Sequence, residues 1–218
     1  MEAVRCHGPA HLWWASLDHR NTAADWSALS PDEQQRARTF VFDLDRQRHV
    51  AAHTALRDIL AKHLGQAPSS LRFAAGPHGK PRLAAERTCP HFNLSHSDGG
   101  ALVAISAGPE VGVDLERERD LDDAALLAAR VFTPAEQTEW ARTPEPLRSR
   151  AFLTGWTRKE ACLKAIGSGL SVEPATFEAG LDPCDRMVRM GAPGWPALVE
   201  VHSLDLGTGW VGAVAWVC

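Results

Sequence analysis

The sequence has no run of about 18 consecutive apolar residues, so no transmembrane helix and no membrane partner is expected. It opens MEAVRCHGPAHLWW, without a basic segment leading into an apolar one, and no signal peptide is expected. Its 5 cysteines (Cys6, Cys89, Cys162, Cys184 and Cys218) are odd in number and scattered, with no C-x-x-C. That argues against a disulfide framework and a four-cysteine zinc site, and points to reduced thiols in the cytoplasm. Positive charge is not in excess: 23 Lys+Arg stand against 27 Asp+Glu, a net charge of −4. Nucleic acid is therefore not the expected partner, although a local basic patch for phosphates is compatible with this balance. Walker A, protein-kinase and G-x-S-x-G motifs are missing, as is any low-complexity tract.

What is present is an ordinary globular composition, 44% apolar and 23% charged, over 218 residues. This suffices for one core, or for two half-domains sharing one. Strand-like patterns cover His11–Leu17, Leu71–Ala75, His91–Ser95, Ala101–Ser106 and Val111–Glu116. Further strands are expected at Ala175–Glu178, Arg186–Met190, Ala197–Leu204 and Trp210–Val217. Helices are expected from Ser30-Pro31-Asp32-Glu33, over Asp45–Leu64 closed by Gly65, over Leu121–Arg130 and Pro134–Trp140, and over Leu147–Ile166 closed by Gly167. Helix plus hairpin-linked strands, written twice, implies an α+β fold of two similar half-domains, 1–108 and 109–218. Each is a small, mostly antiparallel sheet with a packed long helix.

Val111-Gly-Val-Asp-Leu-Glu-Arg117 carries the sharpest chemistry. On a strand, Val111, Val113 and Leu115 face one side and Asp114 and Glu116 the other. Two adjacent carboxylates repel unless a cation lies between them, and oxygen-only ligands suit Mg²⁺ or Mn²⁺. Taken alone, the pair reads more simply as a solvated face neutralised by Arg117. In the Leu147–Ile166 helix, Trp156, Glu160 and Lys164 share a face at i, i+4, i+8. A surface Glu–Lys pair explains that spacing, but flanking Phe152, Leu153, Leu163 and Ile166 indicate a largely buried helix. Ser95 and His96 point to opposite faces of their strand and cannot form a nucleophile–base pair. They read equally as anion donors or as ordinary strand-end polar residues. His49 and His53 lie at i, i+4 without the H-E-x-x-H glutamate, which makes a zinc site a poor reading. Arg36, Arg38, Arg46, Arg48 and Lys80 add positive charge. Together, three acids and this basic set suggest Mg²⁺ beside a phosphate-rich small molecule.

In order, Gly79-Lys80-Pro81, Phe92-Asn-Leu-Ser-His-Ser97, Gly112-Val-Asp-Leu-Glu116 and Trp156-x-x-Lys-Glu-Ala-x-x-Lys164 resemble the 4′-phosphopantetheinyl transferases, in particular the monomeric Sfp-like class. The resemblance covers about Ser30 to Leu170. It implies coenzyme A and Mg²⁺ (or Mn²⁺) in a cleft between two halves, and an apo acyl or peptidyl carrier protein as acceptor. The implied metal ligands are Asp114, Glu116 and Glu160. Implied coenzyme A contacts are Arg48, Lys80, Ser95, His96, Lys159 and Lys164. Glu160, Lys164 and Glu136 are the implied catalytic residues, and 3′,5′-ADP is the implied product. One departure concerns the adenosine 3′-phosphate: relatives often carry two basic residues after Ser-Pro, where this chain has Glu33 and Arg36. A coenzyme A- or nucleotide-binding module and a metal-dependent phosphohydrolase are the competing classes. Carrier contacts are expected at Leu126, Val131 and Phe132 beside Arg130, unless those apolar residues are core.

Overall fold

The computed structural model describes residues 2–18, 23–76, 78–84, 90–191 and 198–218. The expected positions Pro77, Cys89 and Ala197 lie outside them. The first half runs β1 (Glu2–His7), β2 (Ala10–Ser16), α1 (Ala23–Ala28), α2 (Pro31–Arg38), α3 (Asp43–Leu64), β3 (Phe73–Ala75), β4 (Pro81–Leu83), β5 (His91–Ser97) and β6 (Gly100–Ser106). The second runs β7 (Val111–Arg117), α4 (Ala124–Val131), α5 (Pro134–Arg142), α6 (Arg148–Ile166), β8 (Arg186–Arg189), β9 (Leu198–Leu204) and β10 (Trp210–Val217).

Two four-stranded antiparallel sheets result, ordered β1-β2-β6-β5 and β7-β10-β9-β8, beside a small β3-β4 ribbon. Alternation sorts their faces. On β6, Val103 and Ile105 pack under Leu56, Ile59 and Leu60 of α3, whereas Leu102 and Ala104 face the other way. They meet Val111, Val113, Leu115, Val214 and Trp216 of the second sheet. Ala213 and Ala215, on the far side of β10, pack with Ala161, Cys162 and Ala165 of α6. The layers are therefore α3, sheet, sheet, α6, which is the α+β architecture expected. Both long helices end where expected, on glycines in the left-handed conformation (φ 66° at Gly65, 72° at Gly167). The expected helix start at Ser30 forms a capping box with Glu33, and Thr133 forms a second with Glu136.

Where the edge strands β5 and β7 run side by side, side chains take the place of a backbone ladder. Asn93, Ser95 and Ser97 line one side of β5 and each accepts a β7 amide. Val113 N donates to Asn93 Oδ1 (2.9 Å), Leu115 N to Ser95 Oγ (3.2 Å) and Arg117 N to Ser97 Oγ (3.1 Å). The alternating polar residues of F-N-L-S-H-S thus form the joint between the halves.

The expected strand Ala175–Glu178 does not form. Pro174–Thr176 is a 3₁₀ turn, and the following backbone is bound by side chains. Lys159 Nζ donates to the Pro174 (2.8 Å) and Phe177 carbonyls, Arg158 Nε to Ala179 O (2.7 Å), and Glu136 Oε1 accepts from Ala179 N (2.9 Å) and Gly180 N (3.1 Å). With its polar groups satisfied this way, the segment needs no partner strand. Phe132 is fully buried against Phe152, so it is core and no docking residue, whereas Leu126 is 71% exposed and Arg130 is exposed.

Candidate active site

The site forms where β7 passes beneath α6. Gly112 makes that approach close: a Cβ there would stand 2.2 Å from Ala161 O and 2.3 Å from Ala165 N. Gly112, Asp114 and Glu116 share the face of β7 turned to α6, opposite the Val113 and Leu115 face. From α6, Lys164 donates its Nζ to Asp114 Oδ1 (2.5 Å) and Ser95 Oγ (3.3 Å). Ser95 Oγ donates to the same Asp114 oxygen (2.8 Å), and Ser97 Oγ to Glu116 Oε2 (3.1 Å).

Asp114 is buried, and its other oxygen, Oδ2, has no hydrogen-bond partner among the described residues. An unsatisfied buried acceptor is costly, about 1–3 kcal/mol and more when charged. The Glu160 carboxyl is held above its ordinary pKa, first by burial and then by the negative charges of Asp114 and Glu116, with Lys164 opposing. The three acids expected to act together thus share one local field. Negative charge in excess of Lys164, oxygen donors only and one orphaned carboxylate oxygen fit a hard divalent cation. Among the described residues no three His, Cys, Asp or Glu side chains close around a metal on their own. Mg²⁺ ordinarily keeps waters and substrate phosphates in its shell, so an incomplete protein set is compatible with it.

Beside this junction lies a cavity of about 390 Å³, walled by Arg36, Phe40, His49, His53, Leu56, Pro81, Asn93, Leu94, Ser95, His96 and Lys164. That volume is in the range of small-molecule sites. His96 opens onto it, and its imidazole is held below its ordinary pKa by its packed surroundings and then by the charges of His53 and Lys164. Glu33 does not present a carboxylate to the cavity. It accepts from Arg57 Nε (2.9 Å) and Nη2 (2.6 Å) and from Ser30 N (2.8 Å), and it meets His53 Nδ1 at 3.3 Å.

Several expected site residues are engaged elsewhere. Glu136 is 3% exposed and fully occupied by Lys159 Nζ (2.7 Å), Thr133 N and the Ala179 and Gly180 amides. Every contact the structure gives this carboxylate is thus within the fold. Lys159, 0% exposed, directs its ammonium to Glu136 and two backbone carbonyls. Lys80 Nζ likewise has three acceptors, Glu110 Oε2 (2.6 Å), Val111 O (3.0 Å) and Ala165 O (3.0 Å), which tie its turn to the end of α6. The Ser95 hydroxyl donates to Asp114 Oδ1 (2.8 Å) and so helps to position that carboxylate. Arg48 is held at the hairpin end by Asp98 (3.2 Å) and Asp18 (3.6 Å) and is absent from the cavity wall. Asn93, Ser97 and the buried Arg158 escaped the sequence reading, although the alternation of polar residues on β5 was a visible signal.

Comparison with known proteins shows the family of the chain. A model described as the 4′-phosphopantetheinyl transferase superfamily matches residues 110–211, and one described as 4′-phosphopantetheinyl transferase, N-terminal, matches residues 13–110. The 4′-phosphopantetheinyl transferase HetI of Nostoc sp. is 37% identical over 193 residues, covering 86% of this chain and 81% of that protein. The chain belongs to the 4′-phosphopantetheinyl transferase superfamily. It is an enzyme of that type, a transferase of phosphopantetheine to carrier proteins. The phosphopantetheinyl transferase psf-1 of Bacillus pumilus is 29% identical (87% of this chain, 82% of that one), and Sfp of Bacillus subtilis 25% (83% and 80%). Of the described helices, none is long and apolar enough to cross a membrane.

Proposed function

We propose that this transferase takes coenzyme A as donor, requires Mg²⁺ (or Mn²⁺), and moves phosphopantetheine to a serine of an apo acyl or peptidyl carrier protein, releasing 3′,5′-ADP. The observation that carries this reading is the buried, unpartnered Asp114 Oδ2 in the shared field of Glu116 and Glu160. Asp114, Glu116 and Glu160 would hold the ion. When bound, it supplies neutralisation and orientation of the diphosphate oxygens.

The chain's own residues supply the rest. Glu160 accepts the serine proton, directly or through water. The serine oxygen forms its bond to the β-phosphorus as the bond to 3′,5′-ADP breaks. Lys164, anchored by Asp114 and Ser95, faces the departing group with a fixed positive charge. His96 and Arg36 bind phosphate oxygens from the cavity wall. Positioning and electrostatics carry the rate, as in phosphoryl transfer generally. The division near 108/109, a monomeric state and a cytoplasmic location belong to the same proposal.

Intact-mass analysis of an apo carrier protein after incubation with coenzyme A and Mg²⁺ tests the reading. Transfer adds one phosphopantetheine to the carrier. A phosphohydrolase leaves cleaved coenzyme A without an adduct, and a binding module changes neither; both results contradict the proposal.

A further inference from the structure

The cavity contains a histidine pair, His49 and His53, that the reaction above leaves without a task. His49, on α3, is 7% exposed and lines the cavity, yet its Nε2 has no hydrogen-bond partner among the described residues. Its ring lies 4.2 Å from that of His53 and 6.4 Å from that of His96, with Phe40 packed on it at 4.9 Å. The other charged groups facing the pair are Glu33 and Arg36 from α2, and Lys164 from α6 acts on the neighbouring His96. Glu33 is itself bound by Arg57 of α3. The α1 contact to α3 is made at Thr54, through the Asp25 carbonyl. No acidic residue is among the described residues that wall the cavity.

In the free protein this arrangement holds His49 neutral. Burial first, then the charges of His53, His96 and Arg36, push its pKa down to about 4. A buried imidazole among cations is in unfavourable company until an anion joins it. A phosphomonoester dianion would reverse the balance, because each positive neighbour then faces a counter-charge.

We propose that the His49–His53 pair takes up a proton as a phosphomonoester enters this cavity, so that ligand affinity is coupled to pH. The proton comes from solvent and lands on an imidazole nitrogen, and no bond in the ligand breaks. This inference rests on the coenzyme A reading, since that donor carries a 3′-phosphomonoester. It also gives the chain a way to meet that charge although Glu33 stands where relatives often carry a cation.

Calorimetric titration of the full chain with 3′,5′-ADP at pH 7.5, in two buffers of different ionisation enthalpy, reads the uptake directly. A phosphomonoester has its second pKa near 6 and is already a dianion there, so protons gained belong to the protein. The expected result is uptake of about one proton per ligand and an affinity that weakens up to about tenfold from pH 7 to pH 8. His49→Gln/His53→Gln should remove most of the uptake, and dephospho-coenzyme A should show none with the wild-type chain. If the double variant does not fold, His53→Gln alone and the wild-type measurement decide. Binding of 3′,5′-ADP with no proton uptake and a flat pH profile overturns the inference. If carrier modification proceeds alongside that result, only the inference falls; if neither binding nor modification occurs, the coenzyme A reading falls with it.

Discussion

Gly112→Ala places a methyl group against the backbone of α6. The added carbon would lie 2.2 Å from Ala161 O, 2.3 Å from Ala165 N and 2.8 Å from the Lys164 carbonyl carbon. Backbone cannot rotate aside as a side chain can, so strand and helix must separate by roughly 1 Å to restore ordinary contact. The atoms displaced carry the site, because Glu160 and Lys164 ride on α6 while Asp114 and Glu116 ride on β7. A Lys164–Asp114 contact of 2.5 Å would lengthen beyond hydrogen-bond range. Overpacking of this kind costs about 1–3 kcal/mol, which lowers Tm by about 2–12 °C in a chain of this size. Misplacement by about 1 Å costs activity more steeply, on the order of 100-fold. Thermal melting and single-turnover carrier modification measure the two effects. A folded Gly112→Ala chain with wild-type rate would show that the β7–α6 spacing does not set the chemistry.

Three further outcomes follow from side chains whose partners are now known. Burial opposes the Glu33 charge, but hydrogen bonds from His53, Arg57 and Ser30 outweigh it and hold its pKa down to about 2, against 4.5 for a free Glu. A depressed carboxylate stabilises the fold above its unfolded pKa and loses that contribution as pH falls. Between about pH 4.5 and 2 the loss is about 3 kcal/mol, so acid unfolding of the wild-type chain should be steeper than that of Glu33→Gln. Lys159→Met leaves Glu136 buried without its cation and should cost about 3–5 kcal/mol in chemical denaturation, with KM for coenzyme A unchanged in the folded fraction. A selective rise in that KM would return Lys159 to the substrate site. Lys80→Met removes three hydrogen bonds, to Glu110, Val111 and Ala165, and should lower Tm with little change in KM for coenzyme A; the reverse pattern would make Lys80 a ligand contact.

Periodicity made much of this site legible. Alternation on Val111–Arg117 put Asp114 and Glu116 on one face, and i, i+4 spacing put Glu160 and Lys164 on another. What spacing did not disclose was who satisfies whom. Lys80, Ser95, Lys159 and Glu136 have the right chemistry for a phosphate or metal site, but tertiary neighbours bind each of them first. Residue type alone cannot distinguish a lysine aimed at a ligand from one aimed at backbone carbonyls 15 and 18 positions away. The same cause removed the strand expected at 175–178, whose backbone is claimed by Glu136, Arg158 and Lys159. The short helix α1 and the edge strand β1 were missed as well. The helix α1 is supported by packing on α3, distant in sequence, whereas β1 is an edge strand held by its hairpin partner β2 alone.

The central claim is that Asp114, Glu116 and Glu160 are held together for chemistry and not for stability. Glu160→Gln separates the two. Its charge is disfavoured by burial and by Asp114 and Glu116, so an uncharged isostere relieves repulsion. The decisive measurement pairs the Tm of Glu160→Gln with its single-turnover rate of carrier modification at saturating coenzyme A and Mg²⁺. The account predicts an unchanged or higher Tm together with a rate loss on the order of 100-fold or more. A near-wild-type rate from the folded variant, or a rate loss that only tracks unfolding, would contradict it.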